Sequence, residues 1–167
     1  MGDELQEPPL GPLARTNAQI HEDHEETLLK LIELLTELDV SGARRALRGL
    51  SAEMSAHLSA EDASTHVRYG ALAEHPRGAA PELFEADHVS QAKVMVTCEE
   101  ALEQIDEQAA DLRRRVVLIL PLFFRLRNVL EHHTLREQRF LYPRLDAELP
   151  AEEREVLVRA LTTRAES

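Results

Sequence analysis

The chain has 167 residues, enough for one domain with a substantial core. Ala and Leu dominate an apolar content of 43%, aromatic residues make up 4% and Trp is absent, which favours an all-α fold over a sheet. With 31 acidic and 19 basic residues the net charge is -12, which repels nucleic acid and anionic lipid, and a single cysteine, Cys98, excludes an intrachain disulfide, a zinc ribbon and a four-thiolate cluster.

Met1 to Ala14 combine acidic residues with Pro8, Pro9 and Pro12 and read as a loose tail. These residues show neither a basic stretch nor an apolar segment of a secretion signal, so a cytoplasmic address is expected. Thr16 and Gln19 have capping-box spacing. Ile20, Leu28, Leu31, Leu35 and Leu38 then recur with helical period, predicting a first helix over Asn17 to Leu38. Asp39 to Gly42 is a turn, and Ala43, Leu47, Leu50 and Met54 begin a second helix that ends near Leu72. Glu74 to Gly78, with Pro76 inside it, is the strongest break in the chain. A third helix carries Phe84, Met95, Cys98, Leu102 and Ile105. After a polar stretch ending at Asp111, a fourth helix carries Leu112, Val116, Ile119, Phe123, Leu126, Leu130 and Phe140, with a kink expected at Pro121. Its apolar run, Val116 to Phe124, is too short for a membrane span. Beyond Pro150 a short fifth helix is expected to pack outside the rest. The predicted organisation is a tail over 1–14, an antiparallel up-down four-helix bundle over 15–147 and a C-terminal helix over 148–167.

Polar residues interrupt each apolar stripe. His24 falls on the first helix, His57 and Glu61 on the second, His88 and Gln91 on the third, and His133 and Glu137 on the fourth. Two of these sets are His-x-x-x-Glu, which places imidazole and carboxylate one turn apart on one face. The residue midway between each successive pair of these histidines lies in or next to a predicted connection, so antiparallel neighbours bring all four to one level. Burying two carboxylates beside four imidazoles is strongly destabilising without a cation. His24, His57, Glu61, His88, His133 and Glu137 are therefore the predicted metal ligands. Imidazole with carboxylate suits iron, manganese, copper or zinc, and two carboxylates shared among four imidazoles suggest two metals.

A lone His, His-x-x-x-Glu, a lone His and a second His-x-x-x-Glu resemble the hemerythrin-like, or HHE cation-binding, family over Ile20 to Leu145. DHEETLL, ADHVSQ and HTLREQRFLYP resemble its motifs, although Gln138 replaces a second acid and His66-Val67 replaces an aromatic residue and Pro. The resemblance implies two non-haem iron ions, bridged by Glu61, Glu137 and an oxo or hydroxo group, with His24, His57, His88 and His133 as terminal ligands. It implies binding of, or reaction with, dioxygen, hydrogen peroxide or nitric oxide, in redox defence or sensing, with weak peroxide decomposition as the enzymatic form. Oxygen-carrying relatives use five histidines. The four here leave each iron open, so air oxidation without return of oxygen is expected.

His132 is the alternative to His133, but His133 lies on the Leu126, Leu130 and Glu137 stripe. His21, one turn before His24, could be an extra ligand but, flanked by Glu22 and Asp23, reads as a solvated histidine; His66 and His75 have no evident partner, and only His21 or His66 could supply a third imidazole to one iron. Tyr69 and Tyr142 could reach the centre, yet packing at the end of the core is expected. Gln91 reads as a residue behind the ligands or in the access channel, and Cys98 as buried and inert. The apolar girth beside Arg113 to Arg115 could serve a homodimer. The competing function is a regulatory bundle in which the metal is structural or sensed, without turnover.

Overall fold

The computed structural model describes residues 10–163, all of whose regular structure is helical. The elements are α1 (Pro12–Thr36), α2 (Val40–Ala63), α3 (Thr65–Gly70), α4 (Pro81–Glu103), α5 (Leu112–Arg136), a π-helical segment (Glu137–Leu141), α6 (Tyr142–Glu148) and α7 (Ala151–Thr162). No described helix is long and apolar enough to cross a membrane. Each of the four long helices packs on two others: α1 and α4 each lie along both α2 and α5.

The first helix begins at Pro12, not Asn17, with Leu13 and Ala14 buried inside what the sequence suggests is a tail. Proline suits a first helical position, where its missing N–H is not needed. The free amides of Leu13 and Ala14 are taken by the Asp146 carboxylate at 3.1 and 3.0 Å, a cap supplied from α6. The capping box does not form, because Thr16 lies inside the helix and its hydroxyl donates to the Pro12 carbonyl. Residues 1–9 and 164–167 lie outside the described part.

The first turn also falls earlier than expected. Leu38, at φ 65°, closes α1, and Asp39 caps α2 by accepting from Gly42 N–H at 2.8 Å. A Cβ at Gly42 would stand 2.2 Å from Asp39 Oδ2, so glycine permits this cap. The second helix is not continuous to Leu72; it stops at Ala63, and Thr65–Gly70 forms the separate α3. Pro121 lies within α5, which remains helical through it. The chain also stays helical past Pro143, through the π-helical segment into α6.

Two apolar clusters hold the helices together, one around Leu31, Leu50, Leu102 and Phe123, the other around Leu13, Tyr69, Phe84 and Leu145. In α1 and α4 the chain leaves the second cluster, passes polar residues and enters the first; from α2 to α3 and from α5 to α6 it runs the other way. The buried polar layer thus lies between two apolar ones. The short C-terminal helix α7, expected outside the bundle, rests on α1 and α2 and buries Leu157 and Leu161 in the second cluster.

Candidate metal centre

Glu61 and Glu137 are fully buried at the middle of the polar layer. Glu61 comes from the end of α2, one turn after His57; Glu137 follows His133 by one turn, where α5 passes into the π-helical segment. Glu61 Oε1 lies 3.3 Å from His57 Nε2, and its Oε2 lies 3.3 Å from His88 Nε2 and 3.9 Å from His133 Nε2. Glu137 Oε2 lies 3.3 Å from His133 Nε2 and 3.6 Å from His21 Nε2, while Oε1 lies 3.7 Å from His66 Nε2. Two groups of donors result, His21, Glu61, His133 and Glu137, and Glu61, His66, His88 and Glu137, each with its ligand atoms within 4.8 Å of one another. Both glutamates belong to both groups. His57 adjoins the first, its Nε2 standing 3.0 Å from His21 Nε2.

Five of the six residues predicted from sequence, His57, Glu61, His88, His133 and Glu137, thus come together. His24 is buried but lies outside both groups, with its ring 5.6 Å from that of His57. The place expected for it near the glutamates is taken by His21, one turn earlier on the same face, which is not a solvated histidine: its side chain is 8% exposed. His66 is a second correction. The break at Ser64 turns α3 so that His66 stacks on His88 with ring centroids 4.5 Å apart. His132 is exposed while His133 is buried, consistent with the stripe that separated them. His75 bonds the Tyr69 carbonyl, and Tyr69 donates to the Ala79 carbonyl, away from the centre.

An outer ring fixes the donors. Tyr142 donates its hydroxyl to Glu61 Oε1, so it is not merely end-of-core packing, and Asn17 donates to Glu137 Oε2 at 3.0 Å. Asp62 Oδ1 lies 2.9 Å from His88 Nδ1 and 3.2 Å from His66 Nδ1, and Thr134 Oγ1 lies 2.7 Å from His21 Nδ1. Asp87, tied to Arg136, stands 4.0 Å from His133 Nδ1. His21 and His88, bonded on Nδ1, present Nε2 toward the glutamates, the usual arrangement behind metal-bound histidines. Sequence offered a faint signal for these residues: Asp62 and Asp87 adjoin Glu61 and His88, and Asn17 lies one turn before His21.

The electrostatics are those of a site made for cations. Burial drives His21 down to about 3 and His24 to about 4, and lowers His66 and, strongly, His133, so these imidazoles are neutral, the form that binds metal. His88 is the exception: burial depresses it, but the Glu61 and Asp62 carboxylates beside it outweigh burial and raise it. Burial and the charge of Glu61 push Glu137 well above the usual carboxylate range. Burial would raise Glu61 too, yet His57 and His88 hold it well below. Glu61 Oε2, Glu137 Oε1 and the Nε2 atoms of His66, His88 and His133 are buried with no hydrogen-bond partner among the described residues. So many unpartnered lone pairs converging on one point are costly unless a cation takes them. The buried His and Glu donors could therefore hold a metal ion.

The chain matches no family model, no curated protein and no solved structure.

Proposed function

We propose that the chain is a hemerythrin-like four-helix bundle holding two non-haem irons, which bind or react with dioxygen, hydrogen peroxide or nitric oxide in redox defence or sensing. The observation that carries this reading is the sharing of two buried glutamates between two groups of imidazoles drawn from different helices. A single metal needs no such sharing, whereas bridging carboxylates balance the charge of two divalent ions with few anions. The alternating order in which successive helices cross the two apolar clusters supports an up-down bundle. His57, Glu61, His88, His133 and Glu137, joined by His21 and His66, would hold the pair. When bound, iron supplies the electron transfer and ligand binding that protein side chains lack. The chain's own part is to keep His21, His66 and His133 neutral by burial, to orient His21 and His88 through Thr134 and Asp62 on Nδ1, and to set the donors between two apolar layers.

The imidazole count matters to the outcome. Four were expected from sequence, and on that count oxygen would not be returned; His21, His57, His66, His88 and His133 make five close to the glutamates, which favours ligand binding over turnover. Metal analysis with an absorption spectrum of the protein as purified tests the reading. About two irons per chain are expected, with a near-ultraviolet band that nitric oxide or azide perturbs. A single tightly held zinc after expression with ample iron would overturn it. Exposed Val117, Leu118 and Phe124 on α5 favour a second reading, a regulatory bundle whose metal is structural or sensed and whose apolar girth meets a partner or a second copy. An iron band indifferent to every small ligand would select that reading.

A further inference from the structure

A cavity of about 350 Å³ opens beside the first donor group, walled by His21, His24, His57 and His133 on one side and by Met54 and Leu130 on another. Its volume is at the small end of pockets that take organic ligands. Gln91 also lines it, one turn after His88 on α4. This side chain is 1% exposed, and its Nε2 has no hydrogen-bond partner among the described residues. A buried amide without a partner is costly, and an acceptor seated in this cavity, or in the adjoining one that Gln91 also lines, would satisfy its N–H groups. At the mouth stand Glu22, Glu25 and Glu131, all exposed, with Arg127, whose guanidinium is bonded to Glu25 at 2.7 Å. A rim of three carboxylates and one engaged cation repels anions and leaves uncharged molecules unhindered.

We infer that this cavity is the ligand port of the centre and that the Gln91 amide donates the hydrogen bond holding a small uncharged molecule with an acceptor oxygen, of the dioxygen, nitric oxide or hydrogen peroxide kind. The inference rests on the metal reading above. It gives Gln91 a role distinct from that of the ligands, because removing the amide weakens the ligand without releasing metal. Likewise the acidic rim discriminates by charge and not by size.

The test uses the full chain loaded with iron. Iron content is measured first, then nitric oxide is titrated into the reduced protein and azide into the oxidised protein, both followed by absorption. Gln91→Met keeps the volume and loses the donor; Gln91→Leu is a second variant of the same kind. Each is expected to keep wild-type iron while releasing nitric oxide about tenfold faster, as the loss of one hydrogen bond predicts. Glu131→Gln is expected to speed azide association and leave nitric oxide association unchanged. Nitric oxide release at the wild-type rate from a fully iron-loaded Gln91→Met protein would overturn the inference, as would loss of iron in both Gln91 variants. A wild-type protein that holds no metal pair would sink the metal reading before any variant is compared, and this inference with it.

Discussion

The two central carboxyl groups titrate in opposite senses, and the difference can be measured on the metal-free chain. Glu137 is raised well above its ordinary 4.5, so its contribution to stability is present at low pH and lost as pH rises through its folded value. Metal-free Glu137→Gln should therefore be more stable than metal-free wild type at pH 8, by about 1 kcal/mol or roughly 2–4 °C in Tm, with the gap closing toward pH 4. The same variant should bind no metal pair. His21 has the other sign: lowered from 6.5 to about 3, it contributes stability above pH 6.5 that is lost as pH falls toward 3. Acid should destabilise the metal-free chain over that window, and His21→Gln should flatten the fall. Iron content should drop in His21→Ala and His66→Ala and stay full in His132→Ala, whose imidazole is exposed. An unchanged iron content in both of the first two would remove them from the ligand set. Cys98 is buried, with its thiol pushed up to about 12, and should resist thiol reagents until the chain unfolds.

Among the elements, α1 and the π-helical segment depend most on distant partners. The start of α1 rests on Asp146, so Asp146→Ala leaves two amides without their acceptor and should cost about 1–2 kcal/mol, read by denaturant unfolding. The wide turn at Glu137–Leu141 has a different consequence. In a regular α-helix a residue five positions on lies roughly 140° around the axis, but here the Tyr142 amide bonds the Glu137 carbonyl and the Tyr142 hydroxyl reaches Glu61. Tyr142→Phe should destabilise the metal-free protein by about 1.5–3 kcal/mol, the value of a hydrogen bond to a charged group. A loss below 0.5 kcal/mol, on the order of a neutral surface change, would show that this bond does not anchor Glu61.

At the scale of the whole molecule, the polar layer is a cost that the two apolar clusters carry and that a bound cation would relieve. Stripping the metal with a chelator should lower Tm, and restoring iron should raise it in a concentration-dependent way, by about 2.7 kcal/mol at a hundredfold excess over Kd. Equal thermal stability with and without metal would mean that protons satisfy the layer as well as iron does. The helices themselves should persist after stripping, since both clusters are built from residues outside the centre.

The all-α character and the polar level of the core were legible in the chain alone, because helical periodicity marks which face each residue occupies. Gaps in the apolar stripes therefore pointed to His57, Glu61, His88, His133 and Glu137, and separated His133 from His132. Periodicity does not say how far one helix is rotated against the next, and histidines one turn apart share a face. Which of His21 and His24 stands beside the glutamates was thus decided by the packing of α1 on α2 and α5. His66 needed the break at Ser64, which ends one helix and re-aims the next. Asp146 at the start of α1, Asn17 on Glu137 and Tyr142 on Glu61 join residues more than 80 positions apart. Local spacing carries no trace of such pairs, because only the closed core brings donor and acceptor together.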